Sequence, residues 1–396
     1  MAIIYLLVFA SPQLLVFLYL RERLPLSARR WLAVIFTIFN IPWVIVAVRM
    51  FSGSLWGISR IPYIAAFIAW QFLGWIFCGL VVLYMLFKAV ERLVGWAVRK
   101  YRPSPTVQPS NVPTVSRRQF LARATYTYAA AGVGLSAYGI WSAERLPLVT
   151  RRTLYFPDLP RPLHGLRIAH LSDVHAGVLM GEAKMKELVR QTNALGADLI
   201  LQTGDMIDIS QVYIPEYVRA FRDLQAPLGV VTVLGNHDRY TGQDAVIKGV
   251  REAGQVFIKN ESHIIEKGGA ALALVGIDDP QNWRADDPQH DDLEAALQRT
   301  PPAAEAFRIL LAHRPGAFDG AIPRAIPLTL AGHIHGGQFY IPVIGWSPGR
   351  LITKYVMGYF QSGASQLYVS RGIGTVGIPL RVFAPPEIAL LELRRL

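Results

Sequence analysis

Leu234-Gly235-Asn236-His237-Asp238-Arg239 follows a strand-like run in this chain of 396 residues, and it organises the interpretation of the whole sequence. The preceding residues 229–233 form a short β-branched run that is typical of a buried parallel strand. Gly235 allows a sharp backbone turn where that strand ends. Ligands bind at the carboxyl ends of strands in open α/β sheets. The amide, imidazole and carboxylate of this stretch therefore predict a functional site there.

Four further strand-like runs end in residues of the same kinds. Residues 164–172 precede Asp173 and His175, residues 198–203 precede Asp205, residues 307–312 precede His313, and residues 326–331 precede His333 and His335. Helical spacing appears at residues 182–195 and 215–224, whereas residues 263–277 and 366–393 have the character of extra strands. This alternation predicts a layered α/β domain that gathers the polar residues at one edge of a sheet.

These side chains are those that bind metal ions. Asp173 and His175 stand two residues apart, so on an extended backbone both point to one side and can reach one ion. The same spacing recurs at His333 and His335. Asp205 has two oxygens that could bridge two ions. The seven candidate ligands are Asp173, His175, Asp205, Asn236, His313, His333 and His335.

Seven ligands exceed the need of one transition metal and suit two ions that share a carboxylate. Nitrogen and oxygen ligands without a thiolate favour Mn, Fe, Zn or Ni. The only cysteine, Cys78, lies in an apolar run, which excludes a disulfide framework and a cysteine-based metal site.

The first 150 residues differ in composition from the remainder. They carry 15 of the 40 Lys and Arg residues but only three acidic residues, so the whole formal charge of +12 lies there. The neutral balance of residues 151–396 argues against a nucleic-acid-binding surface on that part. Mean hydropathy is +0.30. Basic residues beside apolar runs are typical of membrane topology.

Four apolar runs predict transmembrane helices, at residues 3–20, 31–48 and 62–90 and, more weakly, at 124–141. Buried core helices are the alternative interpretation of such runs. The connections after the first and third runs carry most of the Arg and Lys residues and are therefore predicted to be cytoplasmic, which places both termini outside. The expected location is the bacterial cytoplasmic membrane, with several spans and an extracytoplasmic C-terminal domain.

Ser116-Arg117-Arg118-Gln119-Phe120-Leu121 follows a linker rich in Pro, Ser and Thr and resembles a bacterial twin-arginine export signal. Alternatively, the two arginines only flank a membrane helix. No small-x-small cleavage site follows, so we expect the segment to remain as an anchor. The predicted organisation is a membrane domain with three transmembrane helices at residues 1–100, a cytoplasmic linker at 101–123, a fourth helix at 124–143 and a catalytic domain at 151–396.

The five strand-end blocks, taken in order, resemble the signature blocks of calcineurin-like metallophosphoesterases over about residues 166–396. The tail at residues 369–375 and 384–393 is similar to a membrane-associated branch of that family whose members are often exported by the twin-arginine machinery. The resemblance implies a domain of two packed β-sheets flanked by helices. It also implies one ion held by Asp173, His175 and His335, a second held by Asn236, His313 and His333, and Asp205 as the bridge between them.

The resemblance implies the roles of the remaining residues too. A hydroxide between the two ions is the expected nucleophile. His237 is expected to protonate the leaving oxygen or to stabilise charge on the phosphoryl group. His237 and Asp205 are thus the predicted catalytic residues. Asp238 is expected to orient a histidine from behind the ligands.

The expected function is a dinuclear metal-dependent phosphoesterase that hydrolyses phosphodiester or pyrophosphate bonds. Because the apolar run at residues 339–346 directly follows the last ligands, a lipid or envelope substrate is expected rather than nucleic acid. The alternatives are a phosphomonoesterase and a membrane receptor or scaffold that binds metal without catalysis. The expected partners are a phosphoester substrate, the membrane and the twin-arginine export machinery.

Overall fold

The computed structural model describes residues 134–280 and 286–396, together with residue 131 and short stretches between residues 14 and 37 and between residues 84 and 97. The chain divides into two compact units, Met1–Ala137 and Tyr138–Leu396. Within the described part of the chain, no helix is both long enough and apolar enough to cross a membrane. The linker, the twin-arginine segment and most of the first three predicted spans lie outside the described residues and stay predictions. Residues 134–143 of the predicted fourth helix are described and helical, and Ser142 and Ala143 are buried.

Two six-stranded sheets are formed by the described residues of the second unit. Strands are numbered along the chain. The first sheet has the spatial order β1 (Leu148–Phe156), β12 (Glu387–Arg395), β2 (Leu166–Leu171), β3 (Leu199–Thr203), β4 (Val230–Val233) and β5 (Val256–Phe257). The second has the order β10 (Gly358–Ser362), β11 (Ser365–Val369), β9 (Leu328–Ala331), β8 (Ala306–Leu311), β7 (Ala270–Gly276) and β6 (Glu261–Lys267).

The burial of strand β3 shows what packs against each face of the first sheet. All five of its residues, Leu-Ile-Leu-Gln-Thr, are buried, because both faces of the first sheet are covered. Leu199 and Leu201 join a cluster that includes Leu274 and Ile309 from the second sheet. Ile200, which points the other way, joins the helix-covered cluster. The predicted pair of sheets flanked by helices is confirmed.

Helices cover the outer faces of both sheets. The first sheet packs against α1 (Glu182–Asn193), α2 (Ile214–Phe221) and α3 (Asn236–Glu252), and the second against α4 (His290–Leu297) and α5 (Ala317–Ala321). Helix α1 is amphipathic, since Met185, Leu188, Val189 and Thr192 are buried at the spacing of one helical face. The sequence predicted α1 and α2 but not α3, α4 or α5.

Two boundaries differ from the sequence-based expectation. Strand β1 begins at Leu148, before the expected start of the domain at residue 151, and pairs in parallel with β12 along its whole length. Asn236 to Asp238 begin helix α3, whereas their residue types are typical of a turn. Such residues also favour the first turn of a helix, and Asp238 accepts a hydrogen bond from Gly235 N at 2.9 Å.

Candidate metal centre

The predicted ligands lie where the carboxyl ends of the two sheets meet. Strands β2, β3 and β4 are parallel in the first sheet, and β8 and β9 are parallel in the second, so the residues after all five reach one edge. His333 N donates to both oxygens of Asp173, each at 3.1 Å, and thereby joins the sheets. Six of the seven candidates are buried, and the seventh, His333, is half-buried.

The backbone conformation that brings these side chains together differs from the expected one. Asp173 and His175 were expected on an extended backbone, but their φ angles are 55° and 50°. Asp205, His333 and His335 are also left-handed, with φ of 55°, 71° and 54°. A left-handed residue that is not glycine costs about 1–3 kcal/mol. Compact left-handed turns, and not the alternation of a strand, therefore orient these side chains towards the centre. The packing of the surrounding fold must offset the cost of this backbone conformation.

Asp173, His175 and His335 form the first group of ligand atoms. His335 Nε2 lies 3.3 Å from Asp173 Oδ1 and 3.1 Å from His175 Nε2. Burial lowers the pKa of His335 to about 4 against the opposing effect of Asp173. The His335 ring is therefore neutral near pH 7, which is the form that ligates metals.

Asp205, His313 and His333 form the second group. His313 Nε2 lies 3.2 Å from Asp205 Oδ2, 3.1 Å from His333 Nδ1 and 3.1 Å from Asn236 Oδ1. Asp205 Oδ2 is also 3.6 Å from His175 Nε2, a member of the first group. One carboxylate oxygen thus faces both groups, as a bridging ligand must.

The donor set of the second group fits a cation. His313 Nδ1 donates to the Thr203 carbonyl at 2.8 Å, so the neutral ring has a lone pair on Nε2. That lone pair faces the oxygens of Asp205 and Asn236, and acceptors this close repel unless a proton or a metal ion lies between them. Burial lowers the pKa of His313, but the charges of Asp205 and Asp173 outweigh it and raise the pKa to about 10. The site therefore favours a positive charge at this position.

Comparison with known proteins decides the family. The family model of calcineurin-like phosphoesterases matches residues 166–337. The metallophosphoesterase YkuE of Bacillus subtilis is 31% identical over 292 residues, which covers 71% of this chain and 98% of that protein. The chain belongs to the calcineurin-like phosphoesterase family.

Two other relatives of this phosphoesterase have more informative names. The phosphodiesterase YaeI of Escherichia coli is 29% identical over 292 residues, 70% of this chain and 99% of that protein. A transmembrane protein with a metallophosphoesterase domain from Danio rerio is 29% identical over 270 residues, 66% of this chain. The phosphoesterase spans 60% of the Danio rerio protein.

Asp208 is a site residue that the sequence analysis missed. Its Oδ1 lies 3.1 Å from His237 Nδ1 and 3.4 Å from His175 Nδ1, so one carboxylate faces both rings. His237 Nδ1 also donates to the Asp208 carbonyl at 2.9 Å, and Nδ1 therefore carries a proton. These three residues could also be considered as metal ligands. The protonated Nδ1 of His237 cannot ligate an ion and is bound to Asp208 instead, which leaves His237 Nε2 as the atom available to a substrate.

The hydrogen bonds of Asp238 are to the backbone and not to the histidine that was expected. Its carboxylate oxygens accept hydrogen bonds from Ile207 N and Gly235 N, both at 2.9 Å, and not from a histidine ring. Burial, followed by the nearby charge of Asp205, raises the pKa of Asp238 to about 7. Asp238 thus fixes the backbone at Ile207 and Gly235. Asp208 is the carboxylate that faces the Nδ1 atoms of His175 and His237.

Arg381 lies behind the first group and was not predicted. This fully buried guanidinium donates to His335 Nδ1 at 3.0 Å and to the carbonyls of Arg371 and Ala384. Because Arg can only donate, neutral His335 carries its proton on Nε2 in this arrangement, facing Asp173. Ligation of an ion through Nε2 would require the tautomer with the proton on Nδ1, the nitrogen that accepts from Arg381 in this arrangement.

Two glycines permit the close approach of the strand ends. A Cβ on Gly235 would collide with the Asp205 carboxylate, and one on Gly332 would collide with Ser172 Oγ and with Asp173. Gly235 has φ of −112°, which any residue adopts, so the requirement there is one of space. A glycine next to each of the two buried carboxylates keeps the sheet ends in contact.

A cleft of about 320 Å³ opens onto the centre. Its polar lining comes from Asp205, Asn236, His237, His333, His335 and Gln338. Ile334, Pro348, Ile352 and Val376 form an apolar wall. No Lys or Arg stands among the described residues that line this cleft.

Proposed function

We propose that this phosphoesterase hydrolyses phosphodiester or pyrophosphate bonds with the help of two divalent ions. Asp173, His175 and His335 would hold one ion, and Asn236, His313 and His333 the other. The observation that carries the proposal is the position of Asp205, whose Oδ2 lies within 3.6 Å of a nitrogen from each group. Two divalent ions there, from Mn, Fe, Zn or Ni, would supply a water of lowered pKa and balance the charge of phosphoryl oxygens.

His237 is the residue that we assign to the leaving group. It lines the cleft, its Nδ1 is fixed by the carbonyl and carboxylate of Asp208, and its Nε2 remains available. Burial lowers its pKa, but Asp208 and then Asp205 outweigh that effect and raise the pKa to about 9. A protonated imidazole at neutral pH can donate a proton to a leaving oxygen.

The lining of the cleft favours a diester over a monoester. A phosphomonoester carries close to two negative charges near pH 7 and is usually held by Arg or Lys. The described residues of the cleft offer neither, and one wall of the cleft is apolar. A phosphodiester carries one charge and a second organic group that this wall can contact. The name of the phosphodiesterase YaeI agrees with this choice.

The proposed location is the membrane, with the catalytic domain outside the cytoplasm. The apolar runs of the first 150 residues and the twin-arginine-like segment support it, as does the name of the transmembrane relative from Danio rerio. A lipid-linked or envelope-linked phosphodiester is the substrate class that a membrane-held site with an apolar wall would meet.

The test compares bis-p-nitrophenyl phosphate with p-nitrophenyl phosphate as substrates of the full chain with added manganese. We expect a higher kcat/KM for the diester, and loss of both activities after chelation. Faster turnover of the monoester would establish the phosphomonoesterase alternative. Bound metal without turnover of either compound would favour the receptor or scaffold.

A further inference from the structure

Exposed apolar side chains cluster on the segment that follows the last predicted ligands. Val343 is 94% exposed, Ile344 68% and Leu351 79%, and Trp346 and Ile352 are also exposed. We name these five residues the apolar lip. Scattered exposed apolar residues need no explanation, but five within ten positions of one segment do.

The backbone presents the tip of this lip to the surroundings. Ile341 N donates to Trp346 O at 2.7 Å and Trp346 N to Ile341 O at 3.3 Å, which closes a tight turn over residues 342–345. Pro342 and a left-handed Gly345 with φ of 62° shape that turn. Val343 and Ile344 therefore stand at the end of a closed turn, where they do not contribute to a core.

The lip continues into the cleft. Ile352 belongs to both, and Pro348 and Gly349, between Trp346 and Leu351, line the cleft as well. The base of the turn is fixed to the domain, because Tyr340 N donates to Val382 O at 2.9 Å. A surface that received the lip would therefore lie at the entrance to the metal centre.

Charge on this part of the chain suits an anionic surface. Residues 320–386 contain no Asp or Glu and five basic residues. Arg324, Lys354 and Arg371 form ion pairs with acidic residues outside this range, and Arg381 is buried. Arg350 is exposed directly beside Leu351 and has no ion pair with any described residue. An apolar protrusion with a basic flank is the composition of segments that enter the boundary of a bilayer with anionic lipids.

Two aromatic residues at the end of the predicted fourth span, Tyr138 and Trp141, lie close to the same region. The ring of Tyr138 is 5.3 Å from that of Phe383 and 5.9 Å from that of Trp141. Phe383 is about half exposed and follows Val382, which holds the base of the turn. Tyr and Trp are enriched at membrane–water boundaries, so the chain that leads into the domain and the lip have the same character.

We propose that the apolar lip inserts into the surface of an anionic lipid bilayer and holds the cleft against its headgroups. This inference shares only the membrane location with the proposed function. It gives the catalytic domain a second contact with the bilayer, independent of the predicted spans.

The single cysteine makes a direct test possible. In full-length protein with Cys78→Ser, Ile344→Cys or the control Ala364→Cys carries the fluorophore NBD. Ala364 is exposed in the β10–β11 turn, at the end of the second sheet away from the cleft. Both variants are placed in nanodiscs of phosphatidylglycerol and phosphatidylethanolamine, with and without doxyl-labelled acyl chains. Neither metal nor substrate is present, so the outcome is separate from that of the activity assays.

We expect a blue-shifted emission and doxyl quenching at position 344 and neither at position 364. Arg350→Glu should reduce the quenching at 344. Equal quenching at both positions, or none at 344, would overturn the proposal, as would failure of the chain to associate with the nanodiscs. A blue shift without quenching in the labelled protein, together with a disulfide between two copies of the unlabelled Ile344→Cys protein, would assign the lip to a second copy instead.

Discussion

Asp208 Oδ1 lies 3.1 Å from His237 Nδ1, and this contact holds the only imidazole of the described centre that faces the cleft without an assignment to an ion. The same contact affects the protonation of His237. Burial lowers the pKa of His237, but the contact with Asp208 and the charge of Asp205 raise it to about 9. His237 should therefore act as an acid below that pH and lose this capacity above it.

Asp208→Asn should move the alkaline limb of kcat to lower pH. The protonated form is the active one, so kcat falls as pH rises through the pKa of His237, and removal of the Asp208 charge lowers that pKa. The limb is measured with a phosphodiester that has an alkyl leaving group. A p-nitrophenyl diester serves as control, because its leaving group needs less protonation. If the alkaline limbs of the variant and the wild type coincided, Asp208 would have no influence on the pKa of the general acid.

His237→Ala should retain the metals and lower kcat by roughly 10²–10⁴, the range of general acid catalysis. The measurement pairs metal content after gel filtration with steady-state kinetics. If the variant instead lost metal and kept its rate per bound ion, His237 would be a ligand.

Asp205→Asn should remove most of the activity and lower the number of bound ions, because the amide replaces the charge that faces both groups of ligands. Asp158→Asn is the control, since Asp158 is an exposed carboxylate. Metal content by mass spectrometry is compared for the three proteins. A fully loaded Asp205→Asn protein would contradict the bridging role.

Gly235→Ala should impair metal binding although alanine can adopt the backbone conformation of that position. The new Cβ would collide with Asp205 and displace it. Gly181→Ala is the matched control, because nothing lies within 4 Å of a Cβ there. Metal affinity measured by calorimetry should fall for Gly235→Ala only. Equal affinities of the two variants would show that the strand ends can move apart to admit the Cβ.

The sequence predicted which residues meet but not how they meet. Parallel strands deliver their ends to one edge, so the types of Asp205 or His313 could be interpreted without coordinates. The left-handed φ angles of Asp173 and His175 leave no comparable pattern, because Asp and His occupy many conformations. Arg381 is separated from His335 by 46 positions, and no spacing rule joins them. For Asp208 a signal existed, a carboxylate three residues after Asp205, and it was not used.

The predicted topology has its own test. A reporter fused after Leu396 should be active outside the cytoplasm, and one inserted near Pro105 should be active inside. Replacement of Arg117 and Arg118 by lysine should retain the catalytic domain inside while the first three spans still insert. If the protein with both lysines were exported normally, Arg117 and Arg118 would not act as an export signal and would only flank a membrane helix.

The position of β12 between β1 and β2 sets an order of events during synthesis. β1 pairs with β12 from Leu148–Glu387 to Phe156–Arg395, and β2 meets β12 on the other side. A ribosome releases β1 more than two hundred residues before its partner, so the first sheet cannot close until residues 387–395 have emerged. If synthesis stopped before residues 387–395, the edges of β1 and β2 that pair with β12 would remain unpaired. The domain can therefore complete its first sheet only after this segment has been translated.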